Sequence, residues 1–373
     1  MLEIKKVETR KERRDFLNFP LKLYKGNEYF VPMIYLGERD IFKDDHPYNK
    51  VCDVCFFNAY KDGEIVGRIQ GIIQRPANEK WGQKRVRFTR FDAIDDQEVA
   101  NGLFDSVKEW AKEKGMEEFV GPLGYSDLER EGLLIEGFDQ LQTYEEQYNY
   151  DYYQKLIENY GFSKDVDWVE CMLYAPKEKD ERLLRLSYKM LDRYELRLVQ
   201  AKTIKKFIDK YANKFFEMID RTYSRLYGTM PLNQEIVDSL VKDFKLLVRA
   251  EDIMLVLDKN DEVVGFALMF PSISEVVRKS NGHITLPFLF RFLKAKKNPK
   301  VLDLGLIGVD PMYESKGIAT ALIGLLVDFL RESDLDHLET NLMLEENVHI
   351  LNLLKHFDKV MNKRRRCFKI DIK

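Results

Sequence analysis

Leu304-Gly305-Leu306-Ile307-Gly308-Val309-Asp310-Pro311-Met312-Tyr313-Glu314-Ser315-Lys316-Gly317-Ile318-Ala319 reads as a β-strand, an Asp-Pro turn and the start of a helix. Beyond it, Ala321, Leu322, Leu325, Leu326, Phe329 and Leu330 recur at the spacing of one helix face. A strand that turns directly into a helix leaves the first N–H groups of that helix without partners, at the positive end of its dipole. Such an end binds phosphate or pyrophosphate. Gly317 and Ala319 lack bulk, so a ligand can approach the backbone closely, and Lys316 adds a charge at the rim.

Working outward, the chain repeats itself. Lys61-Asp62-Gly63-Glu64-Ile65-Val66-Gly67 resembles Lys259-Asn260-Asp261-Glu262-Val263-Val264-Gly265, and each is a turn between two strand-like runs. The elements around each hairpin follow one order. In the first half they are a strand at Leu2–Val7, a helix from about Lys11, the hairpin, a strand at Arg85–Phe91 and a helix from near Asp95 to Lys114. A strand at Glu118–Val120, a helix at Tyr152–Tyr160 and a strand at Trp168–Tyr174 complete it. The second half offers a strand at Tyr194–Val199, helices from Thr203, the hairpin and a strand at Val301–Val309. The helix Gly317–Leu330, the strand His337–Leu344, the helix Val348–Phe357 and the strand Cys367–Ile372 follow. Strands mixed with helices in this order give an α/β or α+β layered fold. A linker at Lys177–Asp180 divides it into domains at 1–176 and 181–373.

The length of 373 residues suits two domains, and a hydrophobic share of 45% is enough for real cores. Charges are mixed and the net charge is −3, which argues against nucleic acid as a partner. The cysteines Cys52, Cys55, Cys171 and Cys367 suit a reducing compartment rather than a disulfide framework. Cys52 and Cys55 lack a second pair or nearby histidines, so no metal is expected. The N-terminus has no apolar signal-like core, and no apolar run approaches the ~20 residues that span a bilayer. A cytoplasmic protein without integral membrane association is the expectation; the oligomeric state is open.

At the opening stretch the chain resembles the GNAT-type N-acetyltransferase superfamily. That family's signature is Gln/Arg-x-x-Gly-x-Gly/Ala after a strand ending in Val-x-Pro. Val309, Pro311, Gly317, Ala319 and the following helix match, while Glu314 stands where Gln or Arg is usual. The resemblance implies two tandem GNAT-like domains, each a mixed, mostly antiparallel sheet flanked by helices. It implies acetyl-CoA or another acyl-CoA as co-substrate. The backbone of Ile307, Gly308 and Val309 would meet the pantetheine arm, and the amides of Ser315, Lys316, Gly317, Ile318, Ala319 and Thr320 the pyrophosphate. Glu314 implies weaker binding rather than none. Asn347 matches the asparagine that caps the family's last helix and contacts the cofactor.

The family's general base is a carboxylate six residues before the valine, which here is Asp303. On a regular strand Asp303, Gly305, Ile307 and Val309 share one face. The tyrosine that protonates the leaving thiolate falls at Leu354, so the chain departs from the family there; His349 and His356 are nearby. The first half has Asp95, Asp96 and Glu98 in place of a phosphate loop, which implies a degenerate copy. Its Gly121–Ser126 and Glu131–Phe138 stretches are candidate walls of an acceptor pocket. Lys363-Arg364-Arg365-Arg366 reads as a solvated turn, or as a contact for cofactor phosphate. The insert Ile284–Leu293, followed by Lys294, Lys296, Lys297 and Lys300, reads as packing on the first half, a lid, or a lipid-touching helix.

These features make an acyl-CoA-dependent N-acyltransferase the leading expectation, acting on an amine of a small molecule or peptide. A non-catalytic module of the same fold and an aminoacyl-tRNA-dependent transferase of the same tandem fold are the alternatives.

Overall fold

The computed structural model describes residues 1–372. The first half contains β1 (Leu2–Lys6), α1 (Arg10–Leu23), α2 (Tyr35–Glu38), β2 (Cys52–Lys61), β3 (Glu64–Gln74) and α3 (Arg75–Trp81). It continues with β4 (Arg85–Ala93), α4 (Gln97–Glu113), β5 (Glu118–Gly121), β6 (Leu133–Glu136), α5 (Tyr152–Tyr160) and β7 (Ser163–Tyr174). The second half opens with α6 (Glu181–Arg193), β8 (Arg197–Val199), α7 (Ile204–Tyr223), α8 (Gln234–Leu247), β9 (Ile253–Leu257) and β10 (Val263–Pro271). Then come α9 (Ser274–Arg278), α10 (Leu286–Lys297), β11 (Val301–Val309) and α11 (Ile318–Glu332). The chain closes with β12 (His337–Thr340), β13 (Met343–Leu344), α12 (Val348–Leu353) and β14 (Asp358–Asp371).

One sheet runs through both halves, in the order β1-β2-β3-β4-β5-β14-β7-β12-β11-β10-β9-β8. The β4–β5 and β11–β12 pairs are parallel and the other pairs antiparallel. The order is mirrored about the centre, with one exchange. β14, the closing strand of the second half, lies against β5 of the first. β7, the closing strand of the first half, lies against β12 of the second. The two closing strands pair with each other at the middle of the sheet.

Helices cover both faces. α4 and α5 pack on the first half over a core that includes Phe88, Phe91, Phe104, Phe119 and Phe162. α11 and α6 cover one face of the second half, and α7 and α8 the other. Helix α6 is absent from the sequence reading, which placed a strand from Tyr194. Asp180 caps it, its side chain accepting from the Leu183 N–H at 2.8 Å, and Leu183, Ser187 and Leu191 turn inward at spacings of four. The strand expected at His337–Leu344 is broken into β12 and β13.

The largest departure is at the basic run. Lys363-Arg364-Arg365-Arg366 is neither a turn nor a rim but the middle of β14, which begins nine residues earlier than Cys367. Alternation along the strand buries Lys363 and Arg365, at 2% and 0% exposure, and leaves Arg364 and Arg366 half-buried on the opposite face. Burial of two cations is tolerable because anions from neighbouring strands meet them. Lys363 Nζ lies 2.5 Å from Glu339 on β12 and 3.4 Å from Glu170 on β7. Arg365 Nε lies 2.5 Å from the other oxygen of Glu170. On the outer face Arg366 pairs with Asp167 at 2.8 Å, and Arg364 with Glu345.

Arg365→Met leaves Glu170 buried with a single cation. It is expected to lower the unfolding free energy by about 3–5 kcal/mol, read as a drop in the urea midpoint. Arg364→Met, on the wetter face, is expected to cost under about 1 kcal/mol. Equal losses would contradict the central role of the inner pair.

Candidate functional site

Strand β11 carries the site because it is irregular. Met269 pairs with Leu304 and Leu268 with Leu306, so Gly305 is an extra residue on β11. A Cβ there would come within 2.5 Å of the Phe270 ring. The bulge changes the alternation of side chains. Leu302, Leu304, Ile307 and Val309 all pack beneath α11, whereas Leu306 packs with Phe270 beneath α7. Asp303 pairs with Phe270 and therefore lies on the α7 face. The expectation that Asp303 shares a face with Ile307 and Val309 fails at this bulge.

The strands also part here. β11 pairs with β12 only over Val301–Leu304. The Asn341 N–H donates to the Leu304 carbonyl at 3.2 Å, and the chain then leaves as β13 to pair with β7. A cavity of about 560 Å³ fills the opening. Ala319, Leu322, Ile323, Asn347, Ile350 and Leu354 line it from α11 and α12. Tyr223, Phe244, Leu268, Phe270 and Leu306 line the apolar wall beneath α7 and α8. The first half adds Asp127, Glu129, Glu131, Glu145, Glu146 and Trp168. Of the Gly-rich stretches 121–126 and 131–138, only Glu131 is in this wall; the segment between them supplies Asp127, Leu128 and Glu129, and Glu145, Glu146 and Trp168 come from further along the chain.

The start of α11 has the features of a phosphate site. A short 3-10 turn, Pro311–Lys316, leads to Gly317 in the left-handed region at φ 75°. The first helical bond runs from the Ala321 N–H to the Gly317 carbonyl. The amides of Ile318, Ala319 and Thr320 thus precede the helical ladder. Lys316 sits over the Tyr313 ring with its ammonium 4.3 Å from the centroid, which holds its charge at the rim. Glu314 and Ser315 are exposed, and Glu314 borders the mouth of the cavity. Asn347 caps α12, accepting from the Ile350 N–H at 3.3 Å. The equivalent helix of the first half, α4, is capped by Asp96, which accepts from the Glu98 and Val99 N–H groups. Its own carboxylate takes the place an anion would need.

The edge of β11 is in use. The Ile307 N–H donates to the Tyr223 hydroxyl at 3.1 Å, and that hydroxyl donates to the Ile307 carbonyl at 3.0 Å. A pantetheine arm pairing at Ile307 and the Tyr223 hydroxyl are alternatives for the same two groups. By the alternation of the strand, Val309 offers its backbone to the same side. Burial raises the Tyr223 pKa, so the hydroxyl keeps its proton.

The polar end of the cavity is acidic and poorly solvated. Burial pushes Asp127 up to about 6 and Glu145 up to about 7. Burial raises Glu131 and Glu146 well above the usual range, with neighbouring carboxylates adding to the shift; Arg365 opposes it at Glu146. Asp303 is raised well above the usual range too, by burial and then by Glu145 and Glu339. Among the described residues, neither oxygen of Asp303 has a hydrogen-bond partner, and one oxygen each of Glu131, Glu145 and Glu146 also lacks one. Asp303 is fully buried, and the cavity wall beside it is formed by Leu304 and Gly305. Leu354 is in the wall and carries no proton to give; His349 is exposed at the mouth, and His356 is not in the wall. Cys52 and Cys55 are buried in β2, with burial pushing Cys52 up to about 12.

Sequence reasoning missed Tyr223, Glu145 and Glu146. Glu145 and Glu146 lie in an irregular segment without periodicity, and Tyr223 is the last residue of a helix far from β11 in sequence. Only the fold brings them to the opening.

The chain is similar to known proteins in part of its sequence and in its fold. Residues 213–357 match the acetyltransferase (GNAT) family. Over 372 residues the chain is 24% identical to protein YghO of Escherichia coli, covering 96% of this chain and 92% of that one. It is 23% identical over 322 residues to the bacterial ceramide synthase of Caulobacter vibrioides, covering 84% and 82%. Among solved structures, a tandem GNAT protein from the clavulanic acid biosynthesis pathway superposes with a TM-score of 0.57 at 11% identity, over 100% of this chain and 99% of that one. A glucosamine N-acetyltransferase region of a fungal β-N-acetylglucosaminidase gives 0.59 at 10% identity, over 99% of this chain and 38% of that one. The strand–bulge–helix unit from β11 to α11 lies within the residues that match the GNAT acetyltransferase family, and the chain as a whole has the fold of tandem GNAT proteins.

Proposed function

We propose that the protein is an acyl-CoA-dependent N-acyltransferase with one donor site, in the second half, and an amine site to which the first half contributes. The observation that carries this reading is that one cavity joins the start of α11 to the buried carboxylates Glu131 and Glu146 and the half-buried Glu145. The donor's pyrophosphate fits the amides from Gly317 to Thr320, and its pantetheine arm fits the edge of β11 at Ile307 and Val309. An incoming ammonium fits the acidic end, where it adds positive charge beside the carboxylates.

Transfer needs a neutral amine. A carboxylate removes one proton from the ammonium, and the freed lone pair attacks the thioester carbonyl. The new C–N bond forms and the C–S bond breaks; the second nitrogen proton ends on the thiol. We assign the base to Glu145, which burial raises; Asp303 is the deeper carboxylate, itself raised by burial and then by Glu145. We assign Tyr223 as the donor to the sulfur, in place of the missing tyrosine at Leu354. Acetyl-CoA is the simplest donor. A longer acyl chain and a lipid amine form a second reading, supported by the apolar wall beneath α7 and α8 and by the ceramide synthase relative.

An amine screen with acetyl-, octanoyl- and hexadecanoyl-CoA, reading thiol release, tests the reading. Turnover with an amine, abolished in Gly317→Val, is expected, because a β-branched side chain is strained at φ 75° and crowds the phosphate approach. Binding of no acyl-CoA by calorimetry would overturn the proposal.

Tyr223→Phe frees the Ile307 N–H and carbonyl for the donor. With about 1 kcal/mol at stake per bond, acyl-CoA binding is expected to tighten about 3- to 10-fold while kcat falls about 100-fold. A weakened affinity would instead make Tyr223 a direct ligand of the donor.

Glu145 accepts a proton only when ionised, so kcat/KM is expected to rise with pH through about 7. Glu145→Gln should abolish that limb. Stability has the opposite sign: a raised carboxyl pKa stabilises the fold fully below its unfolded value and loses that contribution as pH rises through about 7. The wild type is therefore expected to be less stable at pH 8 than at pH 5, and the variant should narrow the difference. An unchanged pH profile in the variant would remove Glu145 from the reaction.

A further inference from the structure

Helix α10 has two apolar stripes, and the fold uses one of them. Phe288, Phe292 and Ala295 pack on a cluster that includes Val31 and Ile34 from the first half and Val276 and Val277 from α9. This bears out the packing expected for the insert. The second stripe, Leu286, Leu289, Phe290 and Leu293, follows the spacing of one helix face and points to solvent. Leu286, Phe290 and Leu293 are 83%, 73% and 64% exposed. Ile284, just before the helix, and Leu246, at the end of α8, are also exposed. Lys296 donates to the Leu246 carbonyl, which ties the end of α8 to α10. An apolar surface of this kind marks an interaction site.

The charges indicate what meets it. From His283 to Lys300 the chain has Arg291, Lys294, Lys296, Lys297 and Lys300 and no acidic residue, in a protein of net charge −3. Arg291, Lys294, Lys297 and Lys300 are exposed. An isologous contact with a second copy would set these cations against one another. An anionic bilayer surface accepts both features: the apolar side chains enter the acyl boundary and the cations meet the headgroups.

We propose that α10, with Ile284 and Leu246, docks the protein on an anionic phospholipid surface. Leu247, next to the exposed Leu246, lines the cavity and also packs in the cluster with Phe292 and Ala295. Docking therefore sets the apolar end of the cavity beside the lipid. This inference does not depend on acyl transfer.

The test is co-sedimentation of the full chain with vesicles of phosphatidylcholine alone and of phosphatidylcholine mixed with phosphatidylglycerol. Binding to the mixed vesicles is expected, weakened by salt and at least about tenfold weaker on the neutral ones. Leu286→Glu/Phe290→Glu/Leu293→Glu should abolish it, and Lys294→Gln/Lys297→Gln/Lys300→Gln should reduce it about tenfold or more. All six positions are exposed, and unchanged thermal midpoints would show that the variants fold. No binding to either vesicle, or equal binding by the triple-glutamate variant, would overturn the proposal. So would light scattering that shows a dimer of the wild type and a monomer of that variant, which would assign the stripe to a second copy.

Discussion

The pairing of Glu170 with Lys363 and Arg365 holds together the part of the sheet on which everything else depends. These groups are carried by the two closing strands, β7 and β14, each of which sits against the other half of the chain. Two buried cations without their anions would be far too costly, so the network specifies the register of β14 on β7. Glu339 adds the third strand, β12, to the same network. Arg365 also reaches toward Glu146, at 3.9 Å, in the acidic end of the cavity. The device that joins the halves thus continues into the site between them.

The exchange of closing strands also explains why the cavity has two kinds of wall. β12 leaves β11 after Thr340 because β13 is drawn onto β7, a strand of the first half. The resulting opening has the edge of β11 and the start of α11 on one side. The loops of the first half bring carboxylates to the other. In the first half the corresponding helix start is occupied by a capping aspartate, Asp96, while loops of that half line the cavity.

Short-range patterns were legible in the sequence. The bounds of β11 and of α5, the two hairpins, and the strand–turn–helix at Gly317 follow from periodicity and turn chemistry, and the structure has them. The final strand was not legible, because four consecutive cations are normally solvated. Partners on other strands make their burial tolerable: Glu170, 193 residues from Lys363, and Glu339, 24 residues from it. The Gly305 bulge was hidden for a related reason: a glycine in a strand signals irregularity but not its direction, so the face of Asp303 was misplaced. The carboxylates and Tyr223 come from irregular segments and a helix end, where no period marks a residue as functional. Helix α6 had a readable stripe, Leu183–Ser187–Leu191, but its serine weakened the apolar signal.

In the proposed function the donor enters the opening between β11 and β12 and replaces the Tyr223 hydroxyl at Ile307. A crystal structure of the chain grown with coenzyme A tests it most directly. The expected result is pyrophosphate oxygens on the amides from Gly317 to Thr320, pantetheine groups on Ile307 and Val309, and the Tyr223 hydroxyl displaced from the strand. Coenzyme A bound elsewhere, with Tyr223 still bonded to Ile307, would contradict it.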